Sequence, residues 1–228
     1  MSKKQNYTIL VAAVSLFIFF ILGREAYNHY QDQSSFSGPS QDQDMANETL
    51  DQSQGQPDDI NNLFLAPIDD YPSRVTKKTF GTYVEPGNSP VFPEKFTGFH
   101  SAIDLETFEN EQNTEVEFTA ICDGELALKR MAQGYGGVVA QYCTLKGEPV
   151  TVIYGHVTLS SIPFNVGDQI EKGQRIGILG EVGVDTDNER KHLHLGIRKG
   201  HGAVILGYVP RQASLSDYID PRTVLIER

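Results

Sequence analysis

Five residues of this chain could do chemistry together: His100, Asp104, His156, His192 and His194. The stretch Lys191-His192-Leu193-His194-Leu195-Gly196-Ile197 reads as a strand, and side chains on a strand alternate between two faces. His192 and His194 then share one face, and Leu193 and Leu195 anchor the other in a core. Two imidazoles side by side can reach one metal or one reacting group; two solvated histidines on a surface strand fit the same pattern. Upstream, His100 and Asp104 form H-x-x-x-D, with Asp104 flanked by Ile103 and Leu105. A carboxylate among apolar neighbours is costly to bury unless it is paired or metal-bound; the plainer reading is an aspartate hydrogen-bonded to backbone at a strand edge. Taken together, His, Asp and His with two histidines to spare make a donor set suited to a catalytic zinc site, which uses three protein ligands and keeps one position open. Zinc lowers the pKa of bound water to about 7 and polarises a carbonyl, while nearby imidazoles move protons and stabilise an oxyanion. The two other histidines, His29 and His201 in Gly200-His201-Gly202, are expected to be solvated.

These residues need a rigid frame, and the sequence from about Leu63 onward supplies short β-rich runs separated by Gly, Pro, Asn and Asp. Glu115 to Cys122 is one run, ended by the turn signal Asp123-Gly124, with Glu125 to Met131 expected as its hairpin partner. Gly134-Tyr135-Gly136-Gly137 marks a turn before the run Val138 to Leu145, and Lys146-Gly147-Glu148-Pro149 turns into Val150 to Tyr154. Ile176 to Leu179, the H-x-H strand and Ala203 to Val209 follow. No long segment of period 3.6 occurs downstream of residue 63. The expected fold is all-β, a mainly antiparallel sandwich or open barrel. Cys122 and Cys143 are too far apart for a C-x-x-C motif; they either pair, if the domain lies in an oxidising compartment, or stay as buried thiols.

The 228-residue chain carries a formal charge of -11, unevenly placed: between Glu25 and Ser73 there are ten acidic residues and no Lys or Arg. No basic stripe is present, which argues against nucleic acid as a partner. Lys3 and Lys4 precede an apolar run from Ile9 to Leu22, the pattern of a membrane-spanning signal anchor with its N-terminus in the cytoplasm. Gly23-Arg24-Glu25-Ala26 is a poor cleavage site. Residues 1–24 are therefore expected to be a basic tip and transmembrane anchor, 25–62 a disordered acidic linker, and 63–228 an extracytoplasmic domain.

From about Val75 to Leu225 the chain resembles the lysostaphin-type, LytM-like zinc metalloendopeptidases, which cut peptide cross-links in bacterial peptidoglycan. Thr79-Phe80-Gly81 resembles the family's lead-in before its first ligand, and Phe99 to Leu105 its F-H-x-G-I-D-L. Asp123-Gly124, Gly134-Tyr135-Gly136 and Tyr154-Gly155-His156 match its D-G, G-Y-G and Y-x-H. Val166 to Gly177 matches its V-x-x-G-D-x-V-x-x-G-Q-x-I-G, His192-Leu193-His194 its H-L-H, and Asp220-Pro221 its late D-P. The run from Val166 to Gly177 also resembles biotinyl and lipoyl carrier domains, but no attachment lysine is present, so it reads as scaffold. The resemblance implies His100, Asp104 and His194 as zinc ligands, His192 as the base and His156 as a transition-state stabiliser. It implies peptidoglycan peptides as substrate and leaves room for regulatory envelope partners. Members of the fold that only bind wall or activate another hydrolase typically lack ligands, and this chain keeps them all. The chain departs from the family at Ala102, where Gly is usual; at Gly137, where Asn is common; and over Glu181 to Lys191, where a charged loop replaces a Gly, Ser and Thr-rich one. That loop is where substrate choice would be set.

Overall fold

The computed structural model describes residues 63–227. The expected membrane anchor and acidic linker, 1–24 and 25–62, lie outside the described residues. Within them run fourteen strands: β1 (Phe64–Leu65), β2 (Tyr83–Val84), β3 (Gly98–His100), β4 (Ala102–Glu106), β5 (Glu117–Thr119), β6 (Gly124–Ala132), β7 (Gly136–Leu145), β8 (Glu148–Gly155), β9 (Gln169–Ile170), β10 (Arg175–Ile178), β11 (His192–Lys199), β12 (Tyr208–Val209), β13 (Tyr218–Ile219) and β14 (Leu225–Ile226). A single helical turn at Tyr71–Arg74 and short 3₁₀ turns complete the described fold.

The central sheet has seven strands in the order β13-β11-β8-β7-β6-β9, with β4 also paired to β11, and all its pairings are antiparallel. It stays open and does not close into a barrel. A small sheet β12-β3-β2 flanks it, β5 pairs with β10, and β1 pairs with β14 in parallel. One face of the central sheet carries the core. Leu193, Leu195 and Ile197 of β11, Ile103 and Leu105 of β4, and Val152 and Tyr154 of β8 are all buried there, and the Tyr154 ring packs on Phe118 of β5 at 5.6 Å. The alternation that buries these residues turns His192, His194, Ala102 and Asp104 to the other face.

Two expected strands form differently. Glu125 to Met131 pairs with β7 and β9, not with the run before it. Asp123 does not close a hairpin: its carboxylate accepts the backbone N–H of Lys172 at 2.7 Å, which ties the chain to the turn before β10, the strand that β5 pairs with instead. Of Ala203 to Val209, only Tyr208–Val209 is a strand. The residues before it pass irregularly over the sheet, fastened where Ser101 donates from Oγ to Leu206 O at 2.7 Å and from N to Gly207 O at 3.0 Å.

Cys122 and Cys143 form a disulfide, and no described cysteine is free. The bond closes a segment of sequence separation 21, which by loop entropy contributes about 3 kcal/mol. Reduction is expected to lower the urea midpoint of the full chain accordingly. An unchanged midpoint with full thiol release would show that the bond adds nothing to stability.

Candidate metal centre

The pairing of β11 with β4 sets the site. Its register places His194 beside Asp104 and His192 beside Glu106, while on the other side His194 faces Gly155 of β8. Gly155 must be glycine: a Cβ there would fall 2.3 Å from the Tyr135 ring, which fills the space and stands edge-on to His194 at 5.1 Å. His100 arrives from the end of β3, in the neighbouring small sheet, and is fully buried.

Three donor atoms converge. His100 Nε2 is 3.2 Å from His194 Nδ1, and Asp104 Oδ1 is 3.3 Å from each of them. The triangle is nearly equilateral. Donors placed about 2.0–2.1 Å from a tetrahedral zinc are about 3.3–3.4 Å apart, so the three fit one coordination face. Asp104 Oδ1 is buried and makes no hydrogen bond, an orphaned acceptor of the kind a cation would satisfy. The outer nitrogens are oriented as metal-ligating imidazoles require. His100 Nδ1 donates to Thr79 O at 3.3 Å, leaving the lone pair on Nε2. His194 Nε2 lies 3.3 Å from the Tyr135 hydroxyl, which can accept its proton and leave the lone pair on Nδ1.

His192 points the same way but is held apart from the triangle. Its Nδ1 donates to Arg190 O at 2.7 Å, so Nε2 carries the lone pair, 3.4 Å from Asp104 Oδ2. The His156 ring is 4.3 Å away. His156 follows directly after β8 with φ 62°, a left-handed conformation that is uncommon outside glycine, though less so for His. Its carbonyl accepts Gly180 N at 2.8 Å, just past β10, so the run from Val166 to Gly177 leads into the contact that seats this histidine. His201, by contrast, is exposed and stacks on Tyr142 at 4.4 Å, remote from the site residues in the fold.

The charged loop supplies what the sequence reading did not single out. Arg190 donates from Nη2 to Asp104 Oδ2 at 2.7 Å and from Nε to both Glu106 oxygens at 2.9 Å. Lys78 is buried against Glu94 at 2.8 Å and donates to the Tyr208 hydroxyl at 2.8 Å. Nothing in the sequence flagged Lys78, whereas Arg190 sits inside the departing loop and Tyr135 inside the G-Y-G match. Of the other departures, Ala102 is fully buried. At Gly137 a Cβ would come within 1.9 Å of the Val157 carbonyl oxygen, so asparagine does not fit this backbone. Lys78, Arg190 and Tyr208 line a cleft of about 220 Å³ with Asp104, Tyr135, His156, His192 and His194 in its wall.

Burial opposes ionisation of Asp104, but the positive charge that the facing imidazoles of His192 and His100 carry when protonated outweighs it and holds the carboxyl well below the usual carboxylate range. Burial pushes His194 down to about 4 and His156 well below its ordinary value. Both therefore stay neutral, the form that binds metal or exchanges protons. For a histidine whose folded pKa is depressed, the unfolded chain takes the proton first. The stability this represents is complete above the ordinary value near 6.5 and is lost as pH falls toward about 4. The metal-free chain is expected to lose on the order of a few kcal/mol between pH 7 and pH 4, read from urea midpoints; a flat profile would contradict it.

Residues 98–205 match the profile of Peptidase family M23. That stretch, a little under half of the chain, is similar to the M23 peptidases. The matched stretch opens at Gly98, two residues before His100, and takes in Asp104, His156, His192 and His194. Among curated proteins none matches the chain. Among solved structures, Csd3 of Helicobacter pylori is 20% identical with TM-score 0.45, over 72% of this chain and 35% of that one, so the match spans about a third of Csd3. The catalytic domain of lysostaphin from Staphylococcus simulans is 19% identical with TM-score 0.45, over 69% of this chain and 96% of that one. LytU is 22% identical with TM-score 0.44, over 66% and 82%. Among the described residues, His100, Asp104 and His194 form a group able to hold a metal ion, all three buried.

Proposed function

We propose that this chain is a membrane-anchored zinc endopeptidase that hydrolyses peptide cross-links of bacterial peptidoglycan. The observation that carries the reading is the near-equilateral triangle of His100 Nε2, Asp104 Oδ1 and His194 Nδ1 inside the stretch similar to the M23 peptidases, with a second pair of histidines beside it. His100, Asp104 and His194 would hold zinc, which when bound supplies Lewis acidity to a carbonyl and a water of lowered pKa. His192, with Nδ1–H fixed on Arg190 O, presents Nε2 to take a proton from the attacking water and pass it to the leaving amine. His156 is neutral and its buried Nδ1 has no protein partner; it donates a hydrogen bond to the charge that develops on the scissile carbonyl oxygen. Tyr135 and Gly207 pack against His194 and limit its movement. Lys3, Lys4 and the apolar run from Ile9 to Leu22 support an extracytoplasmic domain, in reach of the wall.

The test is digestion of purified peptidoglycan by the full chain in detergent, read as new amino termini, with His194→Ala and chelator-treated protein as controls. Release by the wild type alone supports the reading. If several wall types yield no more with wild type than with the variant, it fails.

A further inference from the structure

Among the described residues, three buried side-chain polar atoms have no hydrogen-bond partner: Asp104 Oδ1, His156 Nδ1 and Arg190 Nη1. All three side chains line the same cleft. Native folds leave few such atoms unpaired, because each forfeits the hydrogen bonds it had with water. The proposed reaction employs the first two. It has no use for the third.

The Arg190 fork is otherwise fully engaged. Nε donates to Glu106 and Nη2 to Asp104, and because the guanidinium is planar these contacts fix where Nη1 points. The other charged side chains of the cleft wall are matched: Lys78 by Glu94 at 2.8 Å, and Glu189 by Lys95 at 3.2 Å. Charge favours an anion as well. Asp104 and Glu106 are balanced by Arg190 and by Lys77, 3.1 Å from Glu106. A divalent cation added to this neutral set leaves the cleft positive, in surroundings where charge is poorly screened.

We infer that Arg190 reads a carboxylate on the substrate beside the scissile bond, so that the cleft selects acidic peptides. The inference rests on the endopeptidase reading and names its substrate class. A carboxylate is the acceptor that a guanidinium matches best. The C-terminal α-carboxylate and a side-chain carboxylate of a flanking residue offer the same chemistry. Because Arg190 also fixes the His192 ring through its carbonyl, the group that recognises the substrate is two residues from the base.

Three peptides sharing one scissile bond test this with the zinc-loaded full chain: one with a free C-terminus, one with only a side-chain carboxylate, and one with both groups amidated. The wild type is expected to favour one acidic peptide over the diamide by about ten- to a hundredfold in kcat/KM, and the favoured peptide identifies the source of the carboxylate. Arg190→Met is expected to bring that ratio close to one, with zinc content measured alongside. A wild-type ratio near one overturns the inference whatever the variant does, as does an Arg190→Met protein that slows all three peptides equally. Calorimetric binding of the same peptides separates the two readings. Discrimination in binding without hydrolysis keeps the inference and sinks the endopeptidase reading; where no peptide is cut, absence of discrimination in binding sinks the inference.

Discussion

Replacing His194 by alanine will strip the chain of zinc, whereas replacing His192 will leave about one zinc per chain and remove turnover. The two residues share a strand face and differ in what surrounds them. His194 Nδ1 is one corner of the donor triangle, at 3.2 Å and 3.3 Å from the other two corners. With that corner gone, His100 and Asp104 offer two ligands, too few for a site that needs three. His192 Nε2 instead faces Asp104 Oδ2, the oxygen that Arg190 already holds, so it lies outside the triangle and beside His156. Loss of a general base costs about 10²- to 10⁴-fold in rate. Metal content of the two purified variants, with peptidoglycan release measured alongside, gives the answer. Equal zinc loss from both would mean that His192 is a ligand and that the base lies elsewhere.

That distinction was only half legible in the sequence. Alternation along the strand put His192 and His194 on one face, and alternation is a local property that the chain displays directly. Which of the two meets Asp104 is set by the register of β11 on β4, a pairing between segments about ninety residues apart, so only the family resemblance carried it. The same limit explains the misplaced partner of Glu115 to Cys122. A turn signal at Asp123-Gly124 reads as a hairpin when the neighbouring sequence is all there is, yet Asp123 commits its carboxylate to Lys172 and the chain moves to another sheet. The turns at Gly134-Tyr135-Gly136-Gly137 and Lys146-Gly147 were legible because the strands they join are adjacent in sequence. The engagement of Arg190 with Asp104 and Glu106 left no mark on spacing at all. A charged residue in a charged loop looks solvated until the fold turns it inward.

Asp104→Asn keeps the shape of the side chain and removes its charge, and it should cost the protein twice. A neutral carbonyl oxygen is a poor replacement for a carboxylate ligand, so zinc is lost. The metal-free protein should also lose about 3 kcal/mol, because the Arg190 guanidinium, 17% exposed, gives up one of its two carboxylate partners while remaining largely out of water. Glu106 still holds it, which keeps the loss at the lower end of what breaking a buried pair costs. The sign follows from the carboxyl itself. Its pKa is depressed by His192 and His100 in spite of burial, so the folded state favours the charged form, and this contribution is present above the unfolded value near 3.9 and lost as pH falls through the folded one. The amide of the Asp104→Asn variant carries no such contribution, so the variant should lose less stability than wild type on acidification below pH 4. Urea midpoints of the two metal-free proteins at pH 7 and pH 3 decide the matter. If the variant is as stable as wild type at pH 7, the protein's own charges do not hold Asp104 in place, and the carboxylate is organised by the metal alone. If the variant is weaker at pH 7 and the gap narrows at pH 3, the centre is built before metal arrives, with Arg190 and the histidines fixing the carboxylate on which the ion will land.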